Sequence, residues 1–271
     1  MLALESVGYT YAGAGRPALH DVNLELQDGE VVGLVGASEA GKTTLCLVAS
    51  GLAPRSMGGT LTGRLMLDGV DAAPLAIHQL GERVGIAFAS AATQLSGVSG
   101  TVYEEVAFGP MNLGLPASDV IARTDRALAA LRIGELAGRD PAHLSGGQQQ
   151  LVAIAGLVAL GPAHLVLDEP TAQLDPAGTA MVAEALVRLA ADGASILVAE
   201  HKTDLLAGIC ARVVALDAGR ILIDGPAADV LGDPRLPELG VVAPAARRLR
   251  RAARDVGLPA ATLARLEEAL A

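Results

Sequence analysis

Apolar and polar residues alternate along the first part of the chain. Between residues 2 and 32 the alternation occurs twice, in ALESVGYTY and in HDVNLELQDGEVVGLV. A period of two places every second side chain on the same face of a strand, so we predict antiparallel strands that lead into the apolar run VVGLV. The stretch GRLMLDG, residues 63–69, predicts another strand that ends in an Asp-Gly turn.

The periodicity becomes helical over residues 90–155. The segments TVYEEVAFGPMNLGLP and ASDVIARTDRALAALRIGELAGR space their apolar residues three or four apart and are separated by Gly and Pro. We therefore predict a helical subdomain inserted at this place in the chain.

Strands and helices then alternate. The sequence runs through HLVLDEP, PAGTAMVAEALVRLAADG, ASILVAE, TDLLAGICARV and VVALDAGRILIDG. This order is typical of a parallel sheet with crossover helices, so residues 1–225 are predicted to form one α/β domain. Residues 226–271 contain several prolines and the helical segments APAARRLRRAARDVG and PAATLARLEEALA, which predict a small C-terminal helical appendage.

Composition limits the classes of function. A chain of 271 residues is long enough for one large α/β domain with a smaller appendage. The net charge of −10 argues against nucleic acid as the main partner, because phosphate backbones require clustered Lys and Arg. One basic stretch, ARRLRRAAR at residues 246–254, is expected to be the polar face of an amphipathic helix.

Three features bear on the cellular compartment. Cys46 and Cys210 lack the spacing of a metal site, and we interpret them as free thiols in a reducing compartment. The start MLALESVGYT does not have the pattern of a secretory signal. The apolar run at residues 151–167 is broken by Gly161 and Pro162, and each half is far shorter than the ~20 apolar residues of a membrane span. We interpret this run as a buried helix followed by a buried strand.

The stretch GASEAGKTT, residues 36–44, follows the run VVGLV and fits the phosphate-loop pattern G-x-x-x-x-G-K-[ST]. Main-chain N–H groups at the start of a helix bind phosphate, with help from the helix dipole. Lys42 is expected to reach the β- and γ-phosphates, and Thr43 to place its hydroxyl on Mg²⁺. The residues predicted to contact nucleotide here are Gly36, Ala37, Ser38, Glu39, Ala40, Gly41, Lys42, Thr43 and Thr44. The alternative interpretation is a Gly-rich turn with an incidental Lys-Thr pair.

An acidic pair at the end of HLVLDEP supplies a second part of the site. Asp168 ends a predicted buried strand and is expected to hold the Mg²⁺ shell, while Glu169 is placed to act on the attacking water as a general base. An Asp-Glu pair at the end of a strand is common when it occurs alone. Its combination with a phosphate loop makes the functional interpretation the better one.

The stretch LSGGQQQ, residues 144–150, predicts a second set of free N–H groups at the start of a helix. A single chain has little use for a second anion cradle far from its first. Two chains that face each other would use both cradles. Each ATP would then lie between the phosphate loop of one chain and Ser145, Gly146 and Gly147 of the other.

Residues 1–225 resemble the nucleotide-binding subunits of ATP-binding cassette (ABC) transporters, whose phosphate-loop fold includes an antiparallel β subdomain. GASEAGKTT looks like Walker A, LSGGQ like the family signature with Gln148 as its last residue, and LVLDEP like Walker B. TAQLDP looks like the D-loop, which implies that Asp175 crosses to the partner subunit. VAEH looks like the switch element, which implies that His201 senses the γ-phosphate. YTYAGAG resembles the adenine platform, which implies that Tyr11 stacks on the base.

One subgroup of that family is the better match. TVYEEVAFGPMNLGLP, and more weakly LGVVAPAARRL, look like segments of the ATPase subunits of energy-coupling factor importers of vitamins and metals. The resemblance implies a second ATPase subunit, a transmembrane coupling subunit and a small substrate-binding membrane subunit. It also implies a peripheral location on the cytoplasmic face of the membrane and a groove near residues 88–108 that receives a coupling helix. The resemblance further implies that another subunit chooses the cargo, so no residue of this chain identifies it.

Two positions depart from the family pattern. Glu39 stands where the family usually has Gly, which costs about 1–2 kcal/mol if the main chain needs a positive φ. Its carboxylate would also repel phosphate, so we expect weakened ATP binding. Ala89 follows Phe88 where the family usually has the Q-loop Gln, and this puts coupling efficiency in doubt. The next glutamine, Gln94, is a further candidate near Mg²⁺, although it matches a second Gln of the family better.

Four alternatives stay open at this stage. After an active ATPase subunit, the second hypothesis is a weakly active ATP-binding partner in a heterodimeric ABC pair, which the departures at Glu39 and Ala89 favour and the intact Glu169 and His201 oppose. An ATPase of another ABC transporter class, or a soluble ABC protein of DNA repair or translation, is less compatible with the subgroup motif and the acidic charge. A phosphate-loop kinase would leave LSGGQ without a role.

Overall fold

A computed structural model describes residues 1–256 together with Thr262 and Arg265. The predicted helical segment PAATLARLEEALA lies outside this part, apart from those two residues. The strands are, in chain order, β1 (Leu2–Thr10), β2 (Leu19–Leu26), β3 (Val31–Val35), β4 (Thr60–Leu67), β5 (Val70–Asp71), β6 (Val84–Ala87), β7 (His164–Asp168), β8 (Ser195–Ala199), β9 (Arg212–Asp217) and β10 (Arg220–Pro226).

The α-helices come between and after these strands. They are α1 (Lys42–Ala49), α2 (Ile77–Gly81), α3 (Val102–Asn112), α4 (Ala117–Ala130), α5 (Gly146–Leu160), α6 (Pro176–Ala191), α7 (Thr203–Ile209), α8 (Ala227–Val230) and α9 (Ala245–Asp255). Among the described residues, none of these helices has both the length and the apolar content that crossing a bilayer requires.

A small antiparallel sheet has the strand order β2-β1-β4-β5. The alternation in the sequence becomes an alternation of burial: in β2, for example, Leu19, Val22, Leu24 and Leu26 are buried. The strand β4 ends at Leu67, and the following Asp68-Gly69 pair turns the chain with both residues at positive φ. The predicted antiparallel strands and their Asp-Gly turn are therefore present.

A second, larger sheet has the strand order β10-β9-β3-β8-β7-β6. Its strands β9, β3, β8, β7 and β6 run parallel, whereas β10 pairs antiparallel with β9. The segment VVALDAGRILIDG thus forms a hairpin and does not continue the parallel order, because only the short turn at Ala218 and Gly219 connects its two halves. A parallel connection would need a dozen or more residues.

The larger sheet is buried on both faces. Neighbouring residues in its strands belong to two different apolar clusters: Val31 and Val35 contact one, and Val32 and Leu34 contact the other. One face is covered by α1 and the small sheet, and the other by the helices from α3 to α7. Strands covered on both faces are expected to be nearly all apolar, as VVGLV and HLVLD are.

The predicted helical subdomain consists of α3, α4 and α5. Thr101 and Glu104 form a capping box that starts α3. Helix α5 ends at Gly161, which has φ 69° and leaves the helix in the left-handed region. The chain then enters β7 at His164. The apolar run at residues 151–167 is therefore a helix followed by a strand, as predicted.

Buried polar groups stabilise the join between the two sheets. His164 is fully buried, its Nδ1 lies 2.5 Å from Ser195 Oγ and its Nε2 lies 3.1 Å from Asp68 Oδ1. Burial lowers the pKa of this imidazole despite the nearby Asp68 carboxylate.

Cys46 and Cys210 are buried free thiols, and burial raises the pKa of Cys210 to about 12. Such a thiol carries almost no thiolate at neutral pH and is chemically inert.

Three strands of the larger sheet deliver the predicted chemistry to one edge. The adjacent parallel strands β3, β8 and β7 end at Val35, Ala199 and Asp168. Because parallel strands end at the same edge of a sheet, the phosphate loop, His201 and Glu169 follow one another across that edge.

Candidate functional site

The phosphate loop connects β3 to α1. Gly41 precedes the helix with φ 106°, a conformation that glycine adopts most readily. A Cβ atom on Gly36 would lie 2.3 Å from the main-chain oxygen of Leu216, so only glycine fits there. Helix α1 then begins at Lys42 and directs its free N–H groups into the loop.

The Lys42 ammonium is held inside the loop. Lys42 is 6% exposed, and its Nζ donates to the main-chain oxygens of Gly36 at 2.9 Å and Ala37 at 3.0 Å. Burial lowers the pKa of this ammonium, and the nearby carboxylates of Glu169 and Asp168 oppose that effect. A cation is thereby positioned where phosphate oxygens would enter.

Thr43 and Asp168 form an oxygen-rich position beside Lys42. The Thr43 hydroxyl donates to the Asp168 carboxylate, whose Oδ1 is buried and has no hydrogen-bond partner in the described part of the chain. Burial raises the pKa of Asp168, although the Thr43 hydroxyl and the Lys42 charge lower it. A buried acceptor without a donor costs free energy, so a hard cation with oxygen ligands fits this position.

Glu169 and His201 form a pair across the end of the sheet. His201 Nε2 lies 3.1 Å from Glu169 Oε1, with side-chain exposures of 48% and 32%. The Glu169 N–H donates to Ala199 O at 2.9 Å, and its main chain has φ 52°, which turns the side chain out of the strand direction. The carboxylate therefore has access to water and a neighbouring imidazole that can orient it.

A cleft of about 760 Å³ collects these groups. Its lining includes Tyr11, Ser38, Glu39, Gly41, Lys42, Thr43, Thr44, Glu169 and His201. The Tyr11 hydroxyl lies 3.0 Å from Thr44 Oγ1, and the ring meets Tyr9 edge-on with centroids 4.9 Å apart. The cleft also contains Arg16 and His20, which the sequence analysis did not select. The sequence signal that could have identified Arg16 and His20 was their position a few residues after Tyr11. A larger cleft, about 840 Å³, lies beside α9 and contains none of the predicted site residues.

Glu39 lies in the left-handed region. Its φ is 66°, and the residue is exposed at the rim of the cleft. The main chain at Glu39 therefore has the positive φ that the sequence analysis considered, and a non-glycine residue in this conformation costs about 1 kcal/mol. The carboxylate faces solvent, which screens but does not remove its repulsion of phosphate.

Replacing Glu39 by Gly is expected to tighten ATP binding roughly fivefold, about 1 kcal/mol, because a negative charge leaves the rim. The variant Glu39→Ala removes the same charge but keeps a side chain at positive φ, so it should gain affinity without gaining stability. Calorimetric titration with ATP and thermal unfolding of both variants measure the two effects separately. Unchanged or weaker affinity in Glu39→Gly would contradict the expectation.

The segment after β6 is braced by two glutamines. Gln94 accepts from Phe88 N at 2.8 Å and donates to Ile86 O at 3.0 Å, so both ends of its amide have main-chain partners. The buried Gln150 donates from Nε2 to Phe88 O at 2.9 Å. These contacts assign Gln94 a structural role and do not support its candidacy as a Mg²⁺ ligand. Ala89 itself brings no polar side chain.

The signature residues form a second cluster. Ser145 caps α5 by accepting from Gln148 N at 3.3 Å, and Gln148 Oε1 accepts from Ser145 N at 3.1 Å. Ser145 and Gly146 are exposed. Asp175 caps α6 by accepting from Gly178 N at 2.7 Å. Residues 145–148 and Asp175 do not line the cleft of the phosphate loop, so the two predicted clusters lie apart in one chain.

Comparison with known sequences agrees with this geometry. The family model described as ABC transporter matches residues 19–172. A cobalt import ATP-binding protein of Rhodobacter capsulatus is 42% identical over 238 residues, 86% of this chain and 81% of the relative. An energy-coupling factor transporter ATP-binding protein of Methanosarcina acetivorans is 36% identical, over 95% of this chain and 91% of the relative. A relative from Methanosarcina mazei is longer: 90% of this chain aligns at 37% identity but spans 42% of that protein.

Solved structures show the same fold. The protein cbiO1 of Clostridium perfringens, described as part of the ABC transporter complex cbiONQ, gives a TM-score of 0.76 at 32% identity, covering 88% of this chain and 96% of that one. A dimeric ATP-binding cassette, MJ0796, bound to ADP and phosphate gives a TM-score of 0.73 at 26% identity, covering 84% and 99%. The family match, the relatives and the assembled nucleotide cleft together show that this chain belongs to the ABC transporter family, among its ATP-binding proteins.

Proposed function

We propose that this chain is the ATP-hydrolysing subunit of an importer of the energy-coupling factor type. The observation that carries the enzymatic part is the cleft in which Glu169 and His201 face the phosphate loop. The transporter class is supported by the segment on α3 and by relatives named for cobalt import and for energy-coupling factor transport.

Binding of ATP uses groups that are already in place. The loop N–H groups and Lys42 would hold the β- and γ-phosphates, and Tyr11 would contact the base. Thr43 and Asp168 would hold Mg²⁺, which when bound neutralises charge on the phosphate oxygens. This assignment is supported by the unpartnered Oδ1 of Asp168.

Hydrolysis would depend on the pair at the end of the sheet. The Glu169 carboxylate would accept a proton from the attacking water, and His201 would orient that carboxylate and contact the γ-phosphate. Both side chains are partly exposed and joined at 3.1 Å, so they are free to reach a nucleotide that enters the cleft. The phosphate loop alone would bind nucleotide without this step.

A second ATPase subunit would complete each site. Because Ser145, Gly146 and Gly147 lie outside the cleft lining of their own chain, they are suited to bind the γ-phosphate held by another chain. Asp175, also outside that lining, would cross to the same partner. The dimeric cassette similar to this chain is consistent with such pairing. Closing and opening of the pair of ATPase subunits would move the membrane subunits.

The helix α3 offers a surface for the membrane partner. Phe108, Met111 and Leu113 are 36%, 54% and 37% exposed around its C-terminal end. Phe108 ends the segment of residues 88–108, near which the groove for a coupling helix is predicted, and Met111 and Leu113 follow it along the chain. We propose that the chain is held at the cytoplasmic face of the membrane by this contact.

Capture of the tagged chain from its native membranes in mild detergent tests the importer class. We expect a transmembrane coupling subunit and a small substrate-binding membrane protein to be recovered with the wild type. Met111→Lys should lose them, whereas Val187→Lys, which alters another exposed apolar residue on α6, should retain them. A long permease with a soluble binding protein, or no membrane protein at all, would contradict the importer proposal.

One alternative has support in the structure. The strained Glu39 and the missing polar side chain at Ala89 favour a weakly active ATP-binding subunit whose partner hydrolyses ATP. A second, different ATPase subunit in the captured complex, together with no turnover by the purified chain alone, would establish that alternative.

A further inference from the structure

The cleft beside α9 has a volume of about 840 Å³. Sites that bind small molecules usually have volumes of about 300–1,000 Å³. The rest of its lining comes from the chain segment at residues 232–243 and includes two prolines and two valines. Helix α9 contributes five arginines to the lining: Arg247, Arg248, Arg250, Arg251 and Arg254. The cleft thus combines a cationic part with an apolar part.

The lining carries an excess of positive charge. Its acidic members are Asp233 and Asp255, and Asp233 is already paired with Arg235, outside the lining, at 2.7 Å. The chain as a whole has a net charge of −10. A concave surface lined by one sign of charge concentrates the field and attracts ions of the opposite sign. This cleft is therefore suited to anions although the protein is acidic.

Two guanidinium groups are available to a ligand in this cleft. The exposed Arg248 side chain has no hydrogen-bond or ion-pair partner among the described residues. Arg251 is 76% exposed and meets Asp255 only at 3.9 Å. A third, Arg247, is held in place by its hydrogen bond to Ala228 O. A guanidinium binds phosphate or carboxylate through two parallel N–H donors, which favours a ligand with such groups.

The lining also reaches the nucleotide site. Residues 240–243, which we call the strap, line the cleft beside α9. A Cβ atom on Gly240 would lie 2.9 Å from Ala37 Cβ, so the strap packs directly on the phosphate loop. The Thr203 hydroxyl donates to Val242 O at 2.8 Å, which attaches the strap to the start of α7.

We propose that the cleft beside α9 binds a small anion with at least two phosphate or carboxylate groups on a partly apolar body, and that the strap couples this site to the phosphate loop. The arginines bind the charged groups, and the valines and prolines pack on the apolar body. An occupant in the cleft holds the strap against Ala37 and limits the movement of the phosphate loop, so ATP should bind more tightly. Gly240 is a positioning residue in this scheme.

Calorimetric titration of the nucleotide-free full chain tests the site with two probes, fructose 1,6-bisphosphate and benzene-1,3,5-tricarboxylate. We expect one site per chain for at least one probe, and the probe that binds identifies the ligand groups as phosphates or carboxylates. Arg248→Ala combined with Arg251→Ala should weaken this binding about tenfold or more. The matched control, Arg64→Ala combined with Arg132→Ala, removes two exposed arginines outside the lining and should bind as the wild type does.

Three results would overturn the site. The first is that neither probe binds. The second is an equal loss of affinity in the control pair, which would show attraction to net charge alone. The third is a loss of binding in Lys42→Met with none in the Arg248 and Arg251 pair, which would place the probe in the phosphate loop.

The coupling is tested by titration with AMP-PNP, a non-hydrolysable analogue of ATP. A saturating amount of the bound probe should lower the dissociation constant of the analogue about fivefold. Gly240→Ala should raise it about fivefold without any probe, because the added Cβ displaces Ala37. Gly114→Ala is the matched control: its φ of 69° is close to the 67° of Gly240, but its Cβ would meet no described atom within 4 Å.

An unchanged affinity in the presence of the probe, or equal losses in the two glycine variants, would contradict the coupling through the strap. Neither titration measures hydrolysis or membrane association, so the importer class is decided separately by the membrane capture.

Discussion

Replacing Glu169 by Gln is expected to lower kcat for ATP hydrolysis by about 10²–10⁴-fold while ATP still binds. The amide keeps the size of the side chain but cannot accept a proton from water at neutral pH. The hydrogen bond to Ala199 O comes from the main chain, so the local structure should persist. Steady-state phosphate release and calorimetric titration with ATP measure the two properties on the same sample.

Glu184→Gln is the matched control for this variant. It removes a carboxylate from surface ion pairs with Arg132 and Arg188, outside the cleft lining, and exposed pairs contribute little to stability. It should hydrolyse ATP at the wild-type rate. Turnover that persists in Glu169→Gln would show that another group accepts the proton, or that a contaminating ATPase was measured.

Replacing Lys42 by Met is expected to weaken ATP binding about 10²-fold, equal to about 3 kcal/mol. Met keeps the apolar stem of the side chain but brings no ammonium to the phosphates. In the wild type this ammonium is buried and fixed by Gly36 O and Ala37 O, so it needs little rearrangement to meet a nucleotide. Fluorescence titration with a labelled ATP gives the dissociation constant.

The second lysine supplies the comparison. Lys202→Met removes an ammonium that lies outside the cleft lining, so its ATP affinity should match the wild type. Thermal unfolding checks that Lys42→Met remains folded despite the loss of two main-chain contacts. Equal affinities in the two variants would show that Lys42 does not contact the phosphates.

The parts of the site that could be predicted from the sequence are those fixed by local chemistry. The phosphate loop requires glycine where a Cβ would collide with Leu216 O, and it requires a helix that starts at Lys42, so its residue types occur at fixed spacing. Glu169 and His201 could be placed because each follows a short apolar strand, and parallel strands end at one edge.

Contacts between distant segments could not be predicted in the same way. Glu200 and Thr171 are 29 positions apart, and Gln150 and Phe88 are 62 apart. No periodicity links such pairs, since they meet only after the helices and strands have packed. The same limit explains why Gln94 was considered for Mg²⁺ although it braces the main chain. The hairpin of β9 and β10 was not predicted for another reason. An apolar strand has the same hydrophobic pattern whether it runs parallel or antiparallel to its neighbour.

Contacts within the chain itself hold the main side chains of the nucleotide cleft in position. Tyr11 is fixed by Tyr9 and Thr44, and Lys42 by the loop itself. Ordering a free side chain on binding opposes affinity by about 0.5–1.5 kcal/mol each, and this entropic loss is already incurred when the chain folds. In the proposed pair of ATPase subunits, more of the free energy of ATP binding would then be left for drawing the two subunits together, which is the mechanical step that a transport ATPase must drive.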